Sequence, residues 1–100
     1  MRDLASLTPA DFEGAVGTDF EIVVGESDPE TVLIRLTEVV LLGERQGHRD
    51  PFSLRFRGPL SPGLAQVTHQ LAHAEMGQFE LFLGPVAADS DGILYEAVLA

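Results

Sequence analysis

Apolar and polar residues alternate along most of this chain, which is the pattern of half-buried β-strands. In the segment TDFEIVV, the apolar Phe20, Ile22 and Val24 share one parity, while the acidic Asp19 and Glu21 share the other. Successive side chains of a strand point to opposite faces of the sheet. The segment is therefore predicted to be a strand with one face toward a core and the other toward solvent.

The same reading predicts further strands, separated by turns rich in Gly, Pro, Asp and Ser. They are TVLIRLTEVVLLGE, PFSLRFRGP, AQVTHQLAH, QFELFLGPV and ILYEAVLA, with AADSDG predicted as the loop before the last. In the first of these the alternation becomes ambiguous near Glu38, where an apolar run follows. A bulge or sharp bend there would let one strand serve two sides of a barrel.

A short helix is predicted near the N-terminus, in LTPADFEG. Thr8 is a good N-cap, Pro9 suits the first helical position, and Asp11 stands three residues after the cap, as in a capping box. Leu7 and Phe12 would anchor this helix to the core. One or two turns are too short to be stable alone, so the helix must pack on the strands.

Short turns and the lack of a long crossover helix indicate an antiparallel sheet. We predict that residues 1–100 form a single all-β domain, a meander closed into a small antiparallel barrel of about six strands. The alternative is a two-sheet sandwich. The sequence shows no internal repeat.

The charge of the chain excludes several classes of function. Sixteen acidic and six basic residues give a net charge of −10, which disfavours binding to nucleic acid or to an anionic membrane. No apolar run approaches the roughly 20 residues of a membrane span, and the N-terminus has no signal-peptide pattern. We expect a cytoplasmic protein, alone or within an assembled particle.

No catalytic motif is present. The chain has no cysteine, no serine in a G-x-S-x-G setting and no Gly-rich phosphate loop. We therefore expect no enzymatic activity, no catalytic residue and no cofactor.

Two histidines, His69 and His73, share one strand parity and are the best candidates for a metal or small-molecule site. Four residues along a strand separate them by roughly 13 Å, too far to share one ion. We therefore expect no metal, and predict that both lie at the barrel rim, one of them bonded to backbone.

The remaining candidates are four arginines, Arg45, Arg49, Arg55 and Arg57, which form a local positive region in an acidic chain. Arg55 and Arg57 point the same way from PFSLRFRGP, opposite to its apolar Phe residues. One interpretation is internal pairing with a carboxylate on a neighbouring strand, such as Glu80 or Glu38. The other is a partner-binding patch, since arginine is enriched in protein interfaces.

Several motifs, in this order along the chain, resemble a bacterial family of small domains of unknown function. Its members read L-T-x-x-D-F, P-F-S-L-x-F-x-G-P, L-x-Q-x-x-Y-x-L-x-H-x-x-L-G, E-L-F-L-x-P-V and Y-E-A-V-F. This chain differs at His69, where Tyr is usual, and at Met76, where Leu is usual. The matching positions are Leu7, Thr8, Asp11, Phe12, 51–54, Phe56, Gly58, Pro59, Gln66, Leu71, His73, Gly77, 80–83, Pro85, Val86 and 95–98.

The resemblance implies a context and no activity. Genes of this kind are found beside genes for phage-tail-collar-like proteins, which implies a structural or assembly role in a tail-like or fibre-like apparatus. The matching residues are mostly apolar or turn-forming, as a shared fold requires. Among the polar matches, His73 is expected to hold the turn before Gly77.

Two hypotheses follow. The first is a non-enzymatic protein-interaction domain that binds a tail-collar- or fibre-like protein as a chaperone or assembly component, with a self-associating homo-oligomer as a variant. The last strand, ILYEAVLA, could pair with another chain if it lies at a sheet edge. The second is a small-molecule or metal-binding barrel whose mouth holds His69 and His73.

Overall fold

The computed structural model describes residues 1–43 and 50–99, which form a closed barrel of six antiparallel strands preceded by a short helix. The all-β barrel predicted from the sequence is confirmed, and the sandwich is excluded. A 3-10 turn, Leu4–Ser6, precedes the helix α1. The bounds are α1 Pro9–Glu13, β1 Asp19–Val24, β2 Glu30–Leu41, β3 Phe52–Gly58, β4 Val67–His73, β5 Gly77–Asp89 and β6 Gly92–Leu99.

The strands follow one another around the barrel as β1-β2-β3-β6-β5-β4, with β4 beside β1. The order β4-β1-β2-β3 is that of a Greek key, in which the fourth strand returns beside the first. A simple meander would place β4 beside β3, so that part of the prediction is wrong. β6 pairs with β3 on one side and β5 on the other, so the condition set for ILYEAVLA to pair with another chain, a position at a sheet edge, is not met.

Two long strands each serve two sides of the barrel. β2 pairs with β1 through its first half and with β3 through its second, and the register shifts between Leu36 and Glu38. This is the irregularity predicted near Glu38. β5 does the same with β4 and β6, with a shift between Pro85 and Ala87. The two halves of the chain thus repeat one pairing pattern that the sequence does not reveal.

The segment AADSDG is mostly strand, contrary to the predicted loop. Residues 87–89 pair with residues 92–94 of β6, so only Ser90 and Asp91 form the turn. Gly92 begins β6 at φ +143°, and a side chain there would collide with the carbonyl oxygen of Gly58. The β5–β6 hairpin therefore closes tightly against the end of β3.

The inward parity of each strand supplies the core, as the alternation predicted. Phe20 meets Phe56 and Phe79 edge to face, with ring centroids 5.4 Å and 6.1 Å apart. Tyr95 is fully buried, and its hydroxyl accepts a hydrogen bond from the Leu64 backbone N–H at 2.9 Å. Buried aromatic and aliphatic side chains thus fill the barrel.

The N-terminal helix has the predicted capping box. Thr8 accepts a hydrogen bond from the Asp11 backbone N–H, and the Asp11 carboxylate accepts from the Thr8 backbone N–H. The ring of Phe12 lies 5.9 Å from that of Phe52 and 5.8 Å from that of Phe79. Leu7 and Phe12 are fully buried, so both predicted anchors join the core.

Ser53 is buried although its strand parity points outward. It shares the outward parity of Arg55 and Arg57, yet only 4% of its surface is exposed. Its neighbours on the two adjacent strands are Val40 and Val98. Parity therefore sets the direction of this side chain but not its exposure to solvent.

Neither helical segment of the described chain has the length and apolar character needed to cross a bilayer.

Candidate functional site

Arg55 and Arg57 both lie on the outer face of β3 and both form ion pairs. Arg55 Nη2 lies 3.0 Å from a carboxylate oxygen of Glu96 on β6. Arg57 Nη1 lies 2.9 Å from a carboxylate oxygen of Asp89 at the end of β5. Internal pairing, one of the two interpretations from the sequence, is therefore present in the structure.

The partners expected from the sequence are not the ones that pair. Glu38 lies opposite Arg55 on β2, but the ion pair runs to Glu96 on the other side. Glu80 lies opposite Gln70 on β4, away from β3. For Glu80 the reason is the strand order, because the second neighbour of β3 is β6 and not β5.

Arg57 changes the acidity of its partner. The hydrogen bond from the Arg57 guanidinium, followed by that from the Asp91 backbone N–H, lowers the pKa of the Asp89 carboxyl below its usual value. Both donors favour the ionised carboxylate. Asp89 is thereby held in its charged form at the turn that joins β5 to β6.

Arg45 and Arg49, the other two members of the predicted patch, lie outside the described residues. The structure therefore places only Arg55 and Arg57 of the four. A third arginine, Arg35, lies directly opposite Arg57 on β2 and pairs with Asp19 on β1 at 3.3 Å.

The histidines do not form a joint site. His69 Nε2 lies 2.7 Å from the backbone oxygen of Ala65. His73 Nδ1 accepts hydrogen bonds from the backbone N–H groups of Glu75 and Met76, each at 3.1 Å. The prediction that His73 holds the turn before Gly77 is confirmed.

The second nitrogen of His73 is also engaged. Nε2 lies 2.8 Å from the Thr18 hydroxyl, which in turn donates to the Ala15 carbonyl. Since Nδ1 accepts two N–H bonds, Nε2 carries the proton and donates to Thr18. The ring also packs on Phe20, with centroids 4.5 Å apart. His73 thus connects the β4–β5 turn to the start of β1.

Within residues 1–43 and 50–99, no three His, Asp or Glu side chains are grouped as metal ligands.

Several apolar side chains of β5 and β6 lie on the outer surface beside the Arg55–Glu96 pair, with Gln66 covering Gly84 between them. Gly84 of β5 lies opposite Glu96, and the outward-facing Phe82 precedes it by two residues. On β6, Leu94 and Val98 stand two residues before and after Glu96. Phe82 and Val98 are 55% and 59% exposed, and Leu94 is half-buried. We call this surface, formed by Arg55, Arg57, Phe82, Val86, Leu94, Glu96 and Val98, the Arg55 face.

Alternation within QFELFLGPV puts Phe82 on the face opposite Phe79, Leu81 and Leu83, but the sequence alone does not identify this surface. Val86, which is 53% exposed, lies at the register shift between Pro85 and Ala87 and has no partner position on β6. The available signal was the set of large apolar residues at outward positions of QFELFLGPV and ILYEAVLA. That signal could be combined with the arginines only once β3, β6 and β5 were known to be neighbours.

The depressions on the barrel are shallow and lie on its outside. One of about 300 Å³ lies beside the Arg55 face, where Arg35, Arg57 and Asp91 line it. Two others, of about 410 and 320 Å³, lie where β1 meets β4 and share Glu21 and Ala72.

The sequence matches a family described as "Domain of unknown function (DUF6916)" over residues 7–99. Because the match covers nearly the whole chain, the chain belongs to the DUF6916 family. Its fold is the antiparallel barrel with a capped N-terminal helix described above. Searches of curated proteins and of solved structures found no significant match.

Proposed function

We propose that this domain is a non-enzymatic protein-interaction module and that the Arg55 face is its docking surface. The observation that carries the proposal is the exposure of Phe82, Val86 and Val98, each more than half exposed, around the Arg55–Glu96 ion pair. Exposed apolar side chains grouped on one face and rimmed by charge are typical of protein-binding sites.

The composition of the face supports this reading. Aromatic residues and arginine are enriched in interfaces, and they dominate the binding energy when they are desolvated at the centre. Arg55 keeps 41% of its side chain exposed beside Glu96, so a partner can cover it without breaking an internal core contact. The two interpretations of the arginines are thus compatible, since a paired arginine can also lie in an interface.

The partner we propose is a tail-collar- or fibre-like protein, to which the domain would contribute as a structural or assembly component. This proposal rests on the gene context implied by the sequence motifs. Nucleic acid and membranes are not proposed as partners, because a net charge of −10 repels phosphate-rich surfaces. The alternative, a small-molecule or metal site near His69 and His73, gains no support, because both residues bond within the barrel.

The test is a pull-down of the tagged domain from its native host with mass spectrometry of the bound proteins, run in parallel with two variants. Phe82→Glu places a charge among the apolar side chains of the Arg55 face. Leu60→Glu, at a loop residue that is 53% exposed, makes a matched change elsewhere. We expect one dominant partner that Phe82→Glu loses and Leu60→Glu retains.

Equal retention by both variants would exclude the Arg55 face as the docking surface. If no protein is retained by the unmodified domain, the interaction proposal itself fails. Sedimentation of the purified chain over a range of concentrations distinguishes self-association from binding to a different protein. Self-association that Phe82→Glu abolishes would make a second copy the partner on the same face.

A further inference from the structure

The barrel closes through one short contact between β1 and β4, diametrically opposite the β3–β6 pair in the strand order. β1 has six residues and β4 has seven, yet their pairing comprises only Glu21 with Ala72 and Ile22 with Leu71. Every other neighbouring pair of strands is joined over at least five positions. We call this contact the β1–β4 seam.

Beyond the two paired positions the strands diverge toward the β1–β2 turn. Among the described residues, Val23 and Val24 of β1 have no pairing with β4, and residues 67–70 of β4 pair only with β5. A strand that is paired on one side presents backbone N–H and C=O groups on the other. Such an edge can accept an additional strand.

Shallow depressions lie on both sides of the Glu21–Ala72 position. One, of about 320 Å³, lies toward the diverging end and is lined by Glu21, Val23, Gln70 and neighbouring residues. The other, of about 410 Å³, is lined by Asp19, Glu21, Leu33 and His73 among others. Val23 and Leu33 are 64% and 48% exposed, so each of the two depressions has an exposed apolar side chain in its lining. Together the two depressions form a groove along the seam.

Carboxylates outnumber cations around the seam, where Arg2 bonds to the backbone of Gln78 and Arg35 pairs with Asp19. Glu21 lies between the two depressions, and no ion pair forms at it among the described residues. Glu80 lies on β5, opposite Gln70 of β4. The β1–β2 turn at the diverging end carries three further carboxylates, Glu26, Asp28 and Glu30. Arg55 and Arg57 are paired with carboxylates elsewhere on the barrel, whereas Arg35 pairs with Asp19, which lines the larger of the two depressions.

We infer that the β1–β4 seam binds an extended, basic segment of a protein, which adds as a strand along the free edge of β4. Alternate lysine or arginine side chains of that segment reach Glu21 and Glu80, and apolar residues between them contact Val23. Charge complementarity selects this occupant, because an acidic groove on a chain of net charge −10 attracts cations and repels anions. The site is separate from the Arg55 face, and neither depends on the other.

The test uses a synthetic peptide of about eight residues, the length of an ordinary strand, in which lysine and valine alternate. Binding is followed by the amide NMR signals of the ¹⁵N-labelled domain. We expect shifts at Val23, Val24, His69 and Gln70, and slower hydrogen exchange at the amides of residues 67–70. A peptide with glutamate in place of lysine should not bind.

Two changes separate strand addition from general attraction. Methylating alternate backbone nitrogens of the lysine–valine peptide keeps its charge and removes its strand pairing, and should weaken binding about tenfold or more. The variant Glu21→Lys should weaken it by a similar, about tenfold, factor. Glu13→Lys, an exposed helix residue that lines neither depression, makes the same change of net charge and should have little effect.

The inference is overturned if the methylated peptide binds as well as the parent peptide. Equal weakening by Glu21→Lys and Glu13→Lys would also overturn it, as would shifts confined to Phe82, Leu94 and Val98. The last result would place the peptide on the Arg55 face, so failure at the seam can be told apart from failure of the proposed function.

Discussion

Arg55 on β3 and Glu96 on β6 lie directly opposite each other, and their side chains form an ion pair at 3.0 Å on the outside of the barrel. They are 41 positions apart in the chain. The pair joins the two halves of the fold, because β3 ends the first set of three strands and β6 ends the second. It also lies at the centre of the Arg55 face, so its contribution to stability must be separated from its contribution to binding.

We expect the Arg55–Glu96 pair to contribute little to stability. The side chains are 41% and 28% exposed, so solvent screens their attraction. A double-mutant cycle of Arg55→Gln and Glu96→Gln, measured by urea denaturation, should give a coupling of about 0.2–1 kcal/mol. A coupling above about 3 kcal/mol would indicate a desolvated pair and contradict this assignment.

Removing the hydroxyl of Tyr95 should destabilise the barrel. Tyr95→Phe keeps the ring but leaves the Leu64 backbone N–H without its partner in a buried position. We expect the free energy of unfolding to fall by about 1–3 kcal/mol. Equilibrium unfolding in urea measures the change, and an unaltered midpoint would show that water replaces the hydroxyl.

Gly58 should not tolerate a methyl group. A Cβ there would lie 2.9 Å from Ile34 Cγ2 and 3.2 Å from Tyr95 Cε2, both in the core. We expect Gly58→Ala to cost about 1–3 kcal/mol of unfolding free energy. Gly63→Ala is the matched control, because its Cβ would make an ordinary contact at 3.5 Å with Ile93. Similar thermal stabilities of the two variants would contradict the packing described here.

His73 should carry its ring proton on Nε2. The two backbone N–H groups that point at Nδ1 require an unprotonated nitrogen there. Long-range ¹H–¹⁵N NMR of the ring identifies the tautomer. The variant His73→Phe keeps a ring beside Phe20 but leaves the N–H groups of Glu75 and Met76 to solvent, and we expect a loss of about 1 kcal/mol. A proton found on Nδ1 would disprove the turn assignment.

The pH dependence of Asp89 gives a further test. Its pKa in the folded protein is lowered, first by the Arg57 hydrogen bond, so its contribution to stability is present above the unfolded value of 3.8. That contribution is lost as the pH falls through the folded value. An NMR titration of the side-chain carboxyl should show a higher pKa in Arg57→Gln.

Asp11 provides the internal control for that titration. Its pKa is lowered mainly by hydrogen bonds from the Thr8 backbone N–H and hydroxyl. It should therefore not respond to Arg57→Gln. Parallel shifts of both carboxyls would mean that Arg57 acts through overall charge and not through its bond to Asp89.

The candidate site could be predicted only in part. The outward direction of Arg55 and Arg57 followed from parity, and so did that of Phe82. Their ion-pair partners did not, because Glu96 and Asp89 lie on strands that come last in the chain. The short β1–β4 pairing could not be predicted from the sequence either, since the number of paired positions between distant strands depends on how the barrel closes.

The sequence by itself determined the local features of this protein. Strand alternation, the capping box at Thr8 and Asp11, and the irregularity near Glu38 depend on residues within a few positions of one another. Only the tertiary structure decided the Greek-key order, the burial of Ser53 and the continuation of β5 to Asp89. Each of these depends on which distant strand pairs with a given strand. The two-residue alternation of apolar and polar side chains is the same whichever strand that is, so it does not reveal the partner.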